Sequence, residues 1–247
     1  MGTTPILHVE EDDGFWALVE LRERELHLVI STGCVSALDD LWKRALANGV
    51  LVNDDGLQPA NDVLVHVSLV WLILHELQHY DLGHFEKVGT AFLAETERGR
   101  QFALARRRDS AKAATQSKPG EEEIEEMYRL EMEADADAIE MLLDAYSDDQ
   151  WEELRYRIAC VAAVMVLIDR ADAALPEGQS LHPPAKHRIA QLQALVVQMW
   201  AISASPEGAK QQDGHDPSLG PSEHFKERVL VPVFRSVEHL LKVEGRR

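Results

Sequence analysis

Apolar and polar positions alternate with a short period only in the first thirty residues. FWALVE (15–20) and ELHLVI (25–30) mix apolar, β-branched and polar residues, which predicts short strands within 6–31 as a hairpin or small sheet. From Ser31 the period lengthens. Val35, Leu38, Leu41, Trp42, Ala45 and Leu46 recur at helical spacing, between a Ser/Thr start and a Gly49 stop. One brief strand at 50–52 and a turn are expected next. Asn61 or Asp62 then caps a long apolar helix running toward Gly83. Further helices are expected over 90–108, 121–146, 151–174, 185–202 and 224–243, separated by turn-rich stretches at 110–120 and 175–184. Residues 205–223 have the composition of a mobile loop. This pattern predicts an α+β protein, predominantly α-helical, with a small N-terminal β-sheet. One domain over 1–247 is expected: strands and a backing helix in 1–60, a core in 61–192, and C-terminal helices in 193–247.

Composition changes this picture little. At 247 residues and 45 % hydrophobic, the chain can bury a sizeable core. The net charge of −18 argues against a general nucleic-acid binder. Charge is unevenly placed: seven Lys/Arg and one acid over 98–118, then eleven acids and one base over 121–144. The first run reads best as a solvated helix face. The apolar runs at 63–74 and 158–168 fall short of the roughly 20 residues that a membrane helix needs, so both are expected in the core and no membrane span is expected. Cys34 and Cys160 have no metal-binding spacing and are expected as small buried hydrophobes. With no targeting segment visible, a cytoplasmic location is expected.

Chemistry enters where the apolar helix ends, in HELQH (75–79). Residues four apart share a helix face, so His75 and His79 can reach one ion, and Glu76 stands beside them as a base for a water. A catalytic zinc needs three protein ligands and an open position, so a third must be found. His84 lies out of register for a local third ligand and is expected to cap the helix or line the site. The acidic helix offers two pairs spaced i,i+4: Glu131 with Asp135, and Glu133 with Asp137. In either pair the second acid can hold a ligand histidine in one tautomer.

HELQH, then EMEAD (131–135), then HPPAKHRI (182–189) resemble, in that order, the gluzincin metallopeptidases, closest in pattern to the CAAX-prenyl-protease and HtpX-like family. Soluble Lit-like phage-exclusion peptidases are similar in setting. The resemblance spans about 61–192. It implies one Zn2+ per chain held by His75, His79 and Glu131, with Asp135 behind a ligand histidine. It also implies Glu76 as general base and a structural role for Arg188, paired with Asp135 or Glu133. For the oxyanion it points to His182; Tyr128, one turn before Glu131, is the other candidate, and Tyr80 and His187 are weaker ones. The expected activity is hydrolysis of peptide bonds in an intracellular protein or peptide substrate, bound as an added strand at 50–52. The alternative is a non-catalytic, metal-containing regulatory or interaction module, which has no need of Glu76. A regulatory partner and the oligomeric state stay open.

Overall fold

A computed structural model of the chain describes residues 4–22, 25–51, 58–84, 100–101, 121–143, 151–173, 182–203 and 225–244. Strands β1 (Ile6–Glu10), β2 (Ala17–Arg22) and β3 (Glu25–Ser31) open the chain. With β4 (Arg100–Gln101) they form a sheet of order β1-β3-β2-β4, in which β1 runs parallel to β3 and β2 antiparallel to it. β4 lies on the outer edge of β2, so part of the span expected as a helix over 90–108 is extended. The rest of that span, and the loops at 110–120 and 205–223, lie outside the described residues.

The alternation in β2 and β3 sorts side chains onto two faces. Phe15, Ala17, Val19, Leu26, Leu28 and Ile30 enter the main core, while Trp16, Leu18 and Val29 pack together separately. Helix α1 (Thr32–Ala47) follows β3 directly. Ser31 Oγ accepts from the Cys34 amide and donates to the Gly14 carbonyl at 2.6 Å, so one hydroxyl caps the helix and ties down the 12–14 turn.

Two expectations fail beyond α1. Gly49 and Leu51 both adopt positive φ (75° and 60°), and the Val50 amide bonds back to the Ala45 carbonyl. Residues 50 and 51 therefore form a turn on the helix C-terminus instead of a strand; residue 52 lies outside the described residues. Helix α2 (Asn61–Asp81) has Ala60 at its N-cap with no side-chain cap bond. Asn61 donates to Asp39 of α1 instead, an inter-helix tie that local spacing does not reveal.

The remaining helices are α3 (Glu121–Leu143), α4 (Trp151–Asp172), α5 (Ala185–Ser203) and α6 (Val231–Glu244), the last entered through a π-helical turn at Lys226–Leu230. Every residue of α4 from Ile158 to Ile168 is buried. That apolar run is the axis of the bundle, and α1, α2, α3, α5 and α6 all pack on it. Among the described residues no helix is long and apolar enough to cross a membrane. Cys34 and Cys160 are buried free thiols, pushed up by desolvation to about 11 and about 12, so they act as small core residues.

Gly33 lies where the 12–14 turn meets α1, and its amide donates to the Asp12 carbonyl at 2.8 Å. A Cβ there would fall 2.3 Å from the Gly14 carbonyl oxygen and 2.5 Å from the Asp13 carbonyl, all backbone that cannot rotate away. Gly33→Ala is expected to cost at least ~1–3 kcal/mol in a urea melt. An unchanged midpoint would refute this packing of turn on helix.

Candidate metal centre

On α2 the buried positions Leu64, Ser68, Trp71, Leu72, His75, Glu76 and His79 form one stripe at helical spacing. The same face that buries Trp71 in the core carries the histidines two turns later. The stripe of α3 is similar: Leu130, Glu131, Ala134, Asp135 and Ala138 are all buried. Ala134 and Ala138 let the two helices approach closely. Glu122, Glu125 and Glu140 are exposed on the opposite face, so the acidic run is solvated on one side only.

Where the stripes meet, His75, His79 and Glu131 each offer a ligand atom, all within 4.8 Å of one another. His75 Nε2 lies 3.3 Å from Glu131 Oε2, and His79 Nε2 lies 3.5 Å from Glu131 Oε1. The two Nε2 atoms are 3.3 Å apart. All three side chains are buried. Two imidazole nitrogens and one carboxylate suit zinc, and three ligands leave a position open. Among the described residues Glu131 Oε2 and Glu76 Oε1 are buried with no hydrogen-bond donor. Carboxylate oxygens left this way are costly unless a cation takes them, so the residues fit a metal ion.

The surrounding groups fix this geometry. Asp135 Oδ1 lies 3.0 Å from His75 Nδ1, which places that ring's proton on Nδ1 and leaves Nε2 to face Glu131. Arg188 of α5 holds Asp135 through two bonds, Nε to Oδ2 at 2.6 Å and Nη2 to Oδ1 at 2.5 Å. Its guanidinium also lies 5.9 Å from the Trp71 ring centroid, and Trp71 packs on His75. Of the two partners expected for Arg188, Asp135 is the one found. His182, just before α5, turns Nε2 toward Glu131 Oε2 at 3.8 Å, while its Nδ1 donates to Asp172 at 2.6 Å. His187 is exposed, and Tyr80 and Tyr128 are partly buried. His84 is no helix cap: it is fully buried, with Nδ1 2.9 Å from His79 Nδ1 and Nε2 3.2 Å from Glu133 Oε2. The rival acid Glu133 thus faces His84, outside the ligand cluster. Asp172 has no signal in the sequence, because it ends α4 ten residues before His182 and shares no spacing with the other site residues.

Burial and charge act in opposite directions here. Desolvation pushes the Glu76 carboxyl up to about 8; His75, Arg188 and the Val19 amide pull against it. Desolvation pulls His75 down, yet the Asp135 and Glu131 carboxylates outweigh it and raise the ring to about 10. Burial also raises Glu131 and Asp135, but the histidines hold Glu131, and Arg188 holds Asp135, below the usual carboxylate range. His79 is held well below its ordinary value, chiefly by burial, and stays neutral.

The strand edge beside Glu76 is that of β2. β4 pairs with that edge at Glu20 and Leu21, and Ala17 and Val19 are fully buried. The Val19 amide opposes the raised value of the Glu76 carboxyl only weakly.

In comparisons with known proteins, a family model described as Peptidase U49 matches residues 34–199, a span that holds His75, Glu76, His79, Glu131, Asp135, His182 and Arg188. No curated protein and no solved structure matches the chain.

A carboxyl raised in the folded state stabilises the fold below its unfolded value and loses that contribution as pH rises through the folded one. For Glu76 the window is therefore about 4.5 to about 8. With metal removed by chelator, Glu76→Gln is expected to be more stable than wild type at pH 8, on the order of 2 kcal/mol or more, with little gain at pH 5. Urea melts at both pH values decide it; an equal gain at the two would exclude a strained carboxylate.

Proposed function

The chain belongs to the Peptidase U49 family, and from that premise we propose that it is a zinc-dependent endopeptidase of the gluzincin type, acting on an intracellular protein or peptide. The observation that carries this reading is the buried convergence of His75 Nε2, His79 Nε2 and the Glu131 carboxylate beside Glu76. One zinc would be held by His75, His79 and Glu131. Bound there, it would act as a Lewis acid toward the scissile carbonyl and acidify a water.

The other steps belong to the chain. Glu76 takes a proton from the attacking water and delivers it to the leaving amine. His182, braced by Asp172, holds a proton toward the oxyanion when both ring nitrogens carry one. Arg188 and Asp135 orient His75 and take no part in proton transfer.

A purely structural metal site would not require Glu76. Burying that carboxyl costs stability, and its place beside the ligands is what proton transfer needs.

Elemental analysis at neutral pH tests the ligand set. About one zinc per chain is expected in wild type, with loss in both His79→Ala and Glu131→Ala. Zinc that survives Glu131→Ala unchanged overturns it. Glu76→Gln is expected to keep the zinc while cleavage of a mixed peptide library, read by mass spectrometry, falls ~10²–10⁴-fold. Loss of ~10²-fold or more is expected for His182→Ala, with zinc retained. Wild-type cleavage rates in either variant would remove that residue from the chemistry.

A further inference from the structure

The two ligand histidines are backed differently. His75 rests on Asp135 directly, and Asp135 rests on Arg188 in the interior. His79 has a second histidine behind it: its Nδ1 lies 2.9 Å from His84 Nδ1, and His84 Nε2 lies 3.2 Å from Glu133 Oε2. Glu133 Oε1 in turn accepts from Arg129, one turn back on α3. His84 is fully buried, whereas the Glu133 side chain is 38 % exposed and Arg129 47 %. The chain of contacts therefore runs from solvent to the centre of the site.

Proton placement along this chain is determined by its outer end. An ionised carboxylate only accepts, so His84 Nε2 carries a hydrogen and donates it to Glu133. In neutral His84, Nδ1 is then an acceptor. His79 Nδ1 must supply the hydrogen between the two rings, which leaves the His79 lone pair on Nε2, the atom that faces Glu131 and His75. The reverse assignment would set a carboxylate oxygen against a ring nitrogen with no hydrogen between them.

We propose that His84 and Glu133 are positioning residues for the centre, a two-step relay that selects the Nε2-ligating tautomer and the ring orientation of His79. The proposal rests on the zinc reading for its purpose, though not for its geometry. His84 follows α2 at once, because the helix ends at Asp81 and Gly83 adopts φ of 66°, which turns the chain back toward His79. Glu133 then stands on the α3 face next to Glu131 and Asp135, so that EMEAD contributes one acid to each of three tasks: ligand, support of His84 and support of His75.

Three variants test this: His84→Phe keeps a ring without an acceptor, His84→Asn keeps an acceptor at the Nδ1 position, and Glu133→Leu removes the outer acceptor. Histidine-ring 1H–15N spectra of the metal-free protein at neutral pH read the tautomer directly. Wild type and His84→Asn are expected to show His79 with its hydrogen on Nδ1, and His84→Phe to lose that state. Zinc affinity, by competition with a chelating dye, is expected to fall ~10–100-fold in His84→Phe and by less in Glu133→Leu, and to return to within ~5-fold of wild type in His84→Asn. The visible spectrum of the Co2+-substituted protein should change in His84→Phe and not in His84→Asn. An unchanged tautomer and unchanged affinity in His84→Phe overturn the proposal, as does a His84→Asn variant no better than His84→Phe, since His84 would then only fill space. Should wild type and His79→Ala bind zinc alike, the metal reading falls while the tautomer result still decides the relay.

Discussion

The bond between Arg188 and Asp135 is the constraint on which the centre depends. It is a bidentate ion pair with both side chains fully buried, joining α5 to α3, and Asp135 reaches on to His75 of α2. Taking two charges out of water costs more than their attraction returns unless the geometry is good and further hydrogen bonds are made. Here three helices must hold their register for those bonds to exist. Loss of either partner would strand a charge in the core and release the His75 ring, so one interaction couples the bundle's packing to the aim of a ligand.

Around that pair the interior carries more charge than a small core ordinarily tolerates. Glu76, Glu131, Asp135 and Asp172 are all buried, against Arg188 and the histidines. Such clusters of displaced protonation equilibria mark sites where chemistry matters more than stability. The compensation comes from the rest of the bundle. Helix α4 is buried along most of its length and supplies apolar area without a charge between Ile158 and Ile168, at about 1.5–3 kcal/mol for each fully buried large aliphatic side chain. The sheet adds to it and packs β2 against α2.

Periodicity determined much of this from the sequence alone. The helical stripes of α1, α2, α4 and α5, and the alternation of β2 and β3, are local properties of the chain and were legible as such. His75, Glu76 and His79 were legible for the same reason, since i,i+4 spacing on a helix is a statement about one face. The pairing of Glu131 with Asp135 was legible as spacing, but so was that of Glu133 with Asp137, and spacing does not say which acid turns inward. Tertiary packing decided that: Ala134 and Ala138 bring the face of Glu131 and Asp135 against α2, and Glu133 falls one position to the side, against His84. The same packing made Asp172 the support of His182. Each of these depends on contacts between segments far apart in the chain, whose free energy is set by which surfaces meet, and no local period records that.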